Sequence, residues 1–170
     1  DPLNGPWKVL MEDGKPKSSV YAVTSGFIVD SQGRFPVLFR GPNVRSAKNA
    51  WSLPSGLHDC GRTMFEQLAV EAKEELNLDV VGDAGGKFIT AYENIAQVDS
   101  FHWLISLVVV PCSTFDTLKN LEPDKHADVQ LKTASYIESG LFLKDVWAPG
   151  LKEAIHAHSK EIVEAIKLSA

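Results

Sequence analysis

Cysteine is scarce: Cys60 and Cys112 are the only two in 170 residues. Two are too few for a disulfide framework, and at this separation they form no C-x-x-C metal pair. Reduced thiols, with one or both packed inside, are expected, with a single bridge as the alternative. That fits a reducing compartment such as the cytoplasm. Long apolar runs are also missing. The longest, Leu104 to Cys112, is interrupted by Ser106 and Pro111. A membrane helix needs roughly 20 apolar residues, so this run reads as a buried strand and no membrane span is expected. Positive charge is in deficit, with 17 Lys and Arg against 22 Asp and Glu, a formal net charge of −5. Long nucleic acid needs a basic face, so it is a poor partner for this chain. A small phosphate ligand stays open, because a metal ion can supply positive charge locally. No repeat, low-complexity tract or signal peptide is visible. The first residue is Asp1 and not Met, which leaves a processed leader or import into an organelle open.

What is present suits one domain. Hydrophobic residues make up 44% and charged residues 23%, ordinary globular usage with enough apolar content for a real core. Residues 1–18 read as an N-terminal arm rich in Pro, Gly and charge, with a short strand at Trp7 to Met11. Residues 19–170 read as a single domain. Ser19 to Val29 is β-branched and aromatic and predicts a strand. Asp30 to Gly33 is a turn, and Phe35 to Arg40 is expected to return as the second strand of a hairpin. Ala50 to Leu53 is a short extended piece, and Ser55 to Arg62 a loop. Phe88 to Tyr92 and Phe101 to Val110 predict a strand pair. Ser113 to Asp128 is a long polar connection, followed by a last extended segment at Val129 to Ile137. Trp147 to Leu168 predicts one closing helix. Strands and two helices in this order indicate an α+β sandwich.

The most informative stretch is GLHDCGRTMFEQLAVEAKEEL, Gly56 to Leu76. Thr63 and Glu66 form the T-x-x-E capping box that opens a helix. Met64, Leu68, Ala72 and Leu76 recur at helical spacing as a buried stripe. On another edge Glu71 lies beside Glu74 and Glu75, since positions three and four apart are neighbours. Gln67, one turn earlier, extends that polar edge. Like charges so placed repel by a few tenths of a kcal/mol each, roughly. A hard divalent cation removes that cost and keeps sites for water and substrate phosphates. A carboxylate ridge behind a glycine loop therefore suggests a metal–phosphate site. A merely solvated helix face is the plainer alternative.

The same stretch resembles the Nudix box, G-x5-E-x7-R-E-U-x-E-E-x-G-U, where U is a bulky aliphatic residue. Aligned from Gly56, the sequence matches at Glu71, Glu74, Glu75 and Leu78 with the right spacing. Trp51-Ser-Leu-Pro-Ser-Gly56 looks like the family's W-x-L-P-G-G, and Leu121-Glu-Pro-Asp-Lys-His126 is similar to an acidic-Pro-x-Lys segment before the last strand. Three positions depart. Arg62 replaces the first glutamate, Val70 the arginine that orients the neighbouring glutamate, and Asn77 the final glycine. Asn77 is the mildest change, because Asn tolerates the left-handed conformation of a helix end.

The resemblance implies a Nudix-type α/β/α sandwich with a mixed central sheet. It implies a hydrolase that cleaves the diphosphate linkage of nucleoside diphosphate-linked compounds with Mg²⁺ or Mn²⁺. Glu71, Glu74, Glu75 and the Ser55 carbonyl are the implied metal ligands, with Glu74 and Glu75 catalytic. Arg40, Arg45 and Arg62 are candidates for phosphate binding, and Arg62 could also point back at the glutamates. The proton acceptor is open among Glu74, Glu93, Asp99 and Glu122. A nucleotide-type small molecule is the expected partner, and a homodimer is left open. Trp51 reads as a packing residue, with stacking on a base as the alternative, and Trp103 as core; His102 reads as a hydrogen-bonded structural residue, with a place facing the site as the alternative, and His58 as touching metal or phosphate or as structural. His156 and His158, two apart on a helix, make a poor metal pair. The second functional reading is a Nudix-fold nucleotide-binding or protein-interaction module without turnover, favoured by Val70 and Arg62.

Overall fold

The computed structural model describes residues 10–12, 15–17, 19–44, 46–80, 85–96 and 101–170. Within them run β1 (Leu10–Glu12), β2 (Lys15–Lys17), β3 (Ser19–Val29), β4 (Arg34–Arg40), β5 (Ala50–Ser52), β6 (Ser55–Leu57), α1 (Met64–Leu76), β7 (Lys87–Ala96), β8 (Phe101–Pro111), β9 (His126–Thr133), α2 (Ala134–Glu138), α3 (Leu151–Ala157) and α4 (Ser159–Ser169). A 3₁₀ turn at Leu141–Lys144 lies between α2 and α3. No helix among the described residues is long and apolar enough to cross a membrane.

The two-residue period of the strands decides the layering. Phe27 and Val29 of β3 enter one apolar cluster, and Ile28 between them enters another. Val37 and Leu38 of β4 divide the same way, as do Leu107 and Val109 against Val108 and Val110 of β8. Strands buried on both faces need a cover on each. Leu68, Ala72 and Leu76 of α1 cover one face. Leu151 and Ile155 of α3, with Ile162 and Ile166 of α4, cover the other. The result is the expected α/β/α sandwich. Its mixed sheet has the order β6-β3-β8-β7, with β3 and β8 parallel and the other pairs antiparallel. A second, antiparallel sheet has the order β5-β4-β9. β1 and β2 pair antiparallel on their own, so part of the expected arm is strand, while residues 7–9 of the expected Trp7–Met11 strand lie outside the described residues.

Four expectations change. β3 and β4 are not a paired hairpin. The turn forms, with the Asp30 amide donating to the Arg34 carbonyl at 3.0 Å. β3, however, is hydrogen-bonded on both edges, to β6 and β8, so β4 must join the other sheet. Ser55–Leu57 is strand, not loop, because it fills one of those edges of β3. The last extended segment ends at Thr133. Tyr136 and Ile137 are both buried although adjacent, which one turn of helix allows and a one-sided strand does not. The closing helix starts at Leu151 because Gly150 lies at φ +83°, and it is broken at His158, with φ −118° and ψ 22°. The break lets both segments turn their apolar residues onto the same core.

Candidate functional site

Helix α1 is anchored at both ends. The Thr63 hydroxyl accepts from the Glu66 amide at 3.1 Å, and the Glu66 carboxylate accepts from the Thr63 amide at 3.0 Å. Asn77 closes the helix in the left-handed region, at φ 57°. Each fully buried leucine contributes about 1.5–3 kcal/mol over an exposed one, so Leu68 and Leu76 hold one face of α1 firmly against the sheet. The glutamate edge is then turned toward β6. Glu75 Oε1 accepts from the Ser55 amide at 3.2 Å. At Gly56 the strand and helix touch: a Cβ added there would fall 2.0 Å from the Glu71 carboxyl carbon. Glycine is therefore required by close approach, since its φ lies outside the left-handed region.

The opposite wall comes from the far end of the chain. The connection before β9 is tied to the last turn of α1, with the Lys119 amide on the Leu76 carbonyl at 3.0 Å and the Leu121 amide on the Glu75 carbonyl at 2.9 Å. These bonds satisfy carbonyls that a helix end leaves orphaned, and they carry Glu122 to Glu75. The Lys125 and His126 amides both donate to the Glu122 carbonyl, closing a tight turn. A bulge follows: Phe39 faces Asp128 while Arg40 faces His126, leaving Ala127 over. Bulges re-aim side chains at sheet ends, and this one places His126 and Arg40 on the glutamate side. The result is a cavity of about 410 Å³ lined by Arg40, Asn43, Val44, Ser55, Glu71, Glu74, Glu75, Glu122, Asp124, Lys125 and His126.

Five acidic side chains and two cationic ones share this space. Burial is the main influence on Glu71 and pushes its carboxyl up to about 7; the Gln67 amide opposes this, while Glu74, Glu122 and Asp59 add to it. Burial, then the neighbouring Glu71 and Glu122, pushes Glu75 up to about 8 against the Ser55 amide and Lys125. Burial and Arg40 hold His126 down to about 4. The 3.4 Å contact between His126 Nε2 and Glu75 Oε2 is therefore no ion pair at neutral pH. It joins a neutral imidazole to a carboxyl that tends to keep its proton. The residues fit a divalent cation on this ground: clustered carboxyls that burial and mutual repulsion discourage from ionising offer oxygen donors, and a cation would displace their protons. Glu75, Glu122 and His126 form a further group whose donor atoms lie within 4.8 Å of one another.

Of the residues expected from sequence, Arg40, Ser55, Glu71, Glu74, Glu75 and Glu122 meet at this cavity. Arg62 does not. Its guanidinium bonds Asp59 at 2.6 Å, along the loop and away from the glutamates. Arg45 and Asp99 lie outside the described residues. Glu93 pairs with His102 on an open sheet surface. His58 bonds Thr24, which ties it to β3. Trp51 packs on Phe39 with ring centroids 5.0 Å apart, and Trp103 is half-buried against Tyr21. Both cysteines are free, Cys112 buried and Cys60 exposed.

Two residues went unassigned in sequence. Gln67 is buried, accepts from the Asp59 amide at 3.0 Å and donates to Glu71 at 2.9 Å. It thus holds Glu71 from the position one turn earlier, where Val70 offers no polar group. Its place on the polar edge was the available signal. His126 had none beyond its position at the end of the Glu-Pro-Asp-Lys segment, because its partners lie far away in sequence.

No protein-family model matches the sequence, and no curated protein matches it. Solved structures do. A MutT protein from Methanosarcina mazei superimposes with a TM-score of 0.64 at 15% identity, over 85% of this chain and 96% of that one. A Nudix hydrolase from Nitrosomonas europaea gives 0.62 at 12% identity, over 86% and 91%. A MutT Nudix hydrolase from Burkholderia pseudomallei gives 0.59 at 17%, over 90% and 100%. At these identities the likeness establishes the fold: the chain has the Nudix hydrolase fold.

Proposed function

We propose that this protein is a divalent-cation-dependent hydrolase of the diphosphate linkage in nucleoside diphosphate-linked compounds. The observation that carries the reading is the convergence of Glu71, Glu74 and Glu75 with Arg40 and Lys125 around one cavity. Glu71, Glu74, Glu75 and the Ser55 carbonyl would hold Mg²⁺ or Mn²⁺, since both favour oxygen donors. Such a cation would supply Lewis acidity toward phosphate oxygens and toward the attacking water. The chain's own residues do the rest. Gln67 and Gly56 confine the Glu71 carboxylate from two sides. The Ser55 amide fixes one oxygen of Glu75. Glu74 is exposed at the cavity, so its carboxylate can take the proton of the attacking water. Arg40, whose Nε is held by the Ser46 carbonyl at 3.0 Å, lines the cavity and would meet a bound phosphate as a cation already in place. The acidic lining suits a small ligand that brings its own cation better than a long nucleic acid. Two free thiols fit a cytoplasmic setting.

The test is release of phosphate or nucleotide from a panel of nucleoside triphosphates, nucleoside diphosphate sugars, dinucleoside polyphosphates and NAD-type compounds. Each is run with Mg²⁺ and with Mn²⁺, beside Glu75→Gln. Turnover that disappears in the variant is expected. Cation-dependent nucleotide binding with no turnover on any compound would instead make the protein a binding module.

A further inference from the structure

Gln67 is 1% exposed although it stands on the polar edge of α1. Burying a long polar side chain is costly unless both ends of its amide are used. Here both are. The Asp59 backbone amide can only donate, so it fixes Gln67 Oε1 as its acceptor, at 3.0 Å. Nε2 is thereby left to donate to Glu71 Oε1 at 2.9 Å. One planar amide thus joins the loop before α1 to a carboxylate of the cavity. Both partners are restrained in turn. On the loop side the His58 amide donates to the Ala22 carbonyl at 2.8 Å, and Arg62 closes on the Asp59 carboxylate at 2.6 Å. On the helix side Gly56 leaves Glu71 no room to swing, since a Cβ there would fall 2.0 Å from its carboxyl carbon. Among the described residues no hydrogen bond or ion pair reaches Glu71 Oε2, so one oxygen is anchored and the other is free for a ligand.

We propose that Gln67 is a positioning residue that couples the Asp59 loop to cation binding at Glu71. The loop, closed on Gln67, aims the carboxylate; a cation on that carboxylate holds the loop closed. The inference rests on the proposed cation site and adds a linkage to it. A neutral amide suits this task. A cationic partner would compete with the metal for Glu71, whereas the amide orients the carboxylate and leaves its charge unspent. Such coupling is reciprocal: the factor by which loop opening weakens the cation equals the factor by which the cation suppresses opening. Partners that orient a metal ligand are typically worth about 10–100-fold in affinity.

The experiment uses the whole protein with Mg²⁺ alone and no nucleotide. Calorimetry gives the affinity, and amide hydrogen exchange read by NMR gives the opening of the Asp59 amide. Saturating Mg²⁺ is expected to slow exchange at Asp59 by roughly tenfold or more, a measurement that needs no variant. Gln67→Met keeps the length of the side chain and removes both bonds. It should melt near the parent in chelator, lose at least about tenfold in Mg²⁺ affinity, and show Asp59 exchange that no longer responds to Mg²⁺. Glu71→Gln separates positioning from simple packing. Glu74, Glu75 and Glu122 leave that variant a weaker site, and there Gln67→Met should cost no further Mg²⁺ affinity. Asp59 exchange that ignores Mg²⁺ in the parent, parental affinity in Gln67→Met, or additive losses in the double variant would overturn the proposal. The outcomes distinguish the two readings. Mg²⁺ binding that depends on Glu71 but not on Gln67 removes only the coupling. Coupling with no hydrolysis of any nucleotide leaves Gln67 its role and removes the hydrolase.

Discussion

Replacing Gly56 with alanine is the sharpest test of how the site is assembled. The new methyl would lie 2.0 Å from both the carboxyl carbon and Oε1 of Glu71, and 2.5 Å from its Cγ. Ordinary contact begins above 3.4 Å, so more than an ångström must be made up. Glu71 cannot simply swing aside, because Gln67 Nε2 holds Oε1 at 2.9 Å and Gln67 is itself buried. Nor can β6 retreat freely, because it is paired along β3. Overpacking of this kind costs about 1–3 kcal/mol. At about 2–4 °C per kcal/mol for a domain of this size, melting should drop on the order of 5 °C. Shortening the obstacle should remove the penalty. In a Glu71→Ala background, Gly56→Ala should cost far less, giving a coupling above roughly 1 kcal/mol in a double-mutant cycle. The assay is denaturant unfolding of the four proteins in chelator, so that cation binding does not enter. Additive effects, or a Gly56→Ala protein as stable as the parent, would refute the packing of the loop on the glutamate edge. Divalent-cation affinity should fall in Gly56→Ala as well, since the displaced carboxylate belongs to the proposed ligand set.

Two further predictions concern charge. Glu71 and Glu75 have carboxyls raised to about 7 and about 8. Their contribution to stability is thus complete below the unfolded carboxylate value and is lost as pH climbs through 7 to 8. In chelator the parent protein should lose stability relative to Glu75→Gln between pH 5.5 and 8.5, measured by thermal melts. A divalent cation should restore it, and a difference independent of pH would contradict the buried charge. Asp30 behaves oppositely. Burial raises its carboxyl, but hydrogen bonds from the Arg34 side chain and from the Arg34 and Gln32 amides outweigh burial and hold it low. Its stabilisation is present above the unfolded value near 4 and is lost as pH falls through the lower folded one. Asp30→Ala should cost about 1–3 kcal/mol at pH 7. That gap should narrow in strong acid, and an equal gap at pH 2 would refute the ionic part of the account.

Several features are written locally. The capping box at Thr63 and Glu66, the apolar stripe of α1 and the left-handed Asn77 all follow from spacing within one helix. So does the adjacency of Glu71, Glu74 and Glu75, and for that reason the box could be recognised despite Arg62 and Val70. The double burial of β8 is legible in its near-continuous apolar run. What tertiary structure alone decided depends on pairing between distant segments. β3 and β4 are joined by a good turn, yet they part because β6 and β8 claim both edges of β3. Arg62 pairs with Asp59 and not with the glutamates that come after it in the chain. Gln67 gains its role only when the loop amide of Asp59 and the Glu71 carboxylate close on it. His126 lies beside Glu75 because amides 119 and 121 cap the end of α1 and a bulge turns the start of β9. Local spacing specifies which side chains share an edge of one helix. The partner across a cavity is set by which backbone groups remain to be satisfied, and that is known only once the chain has folded.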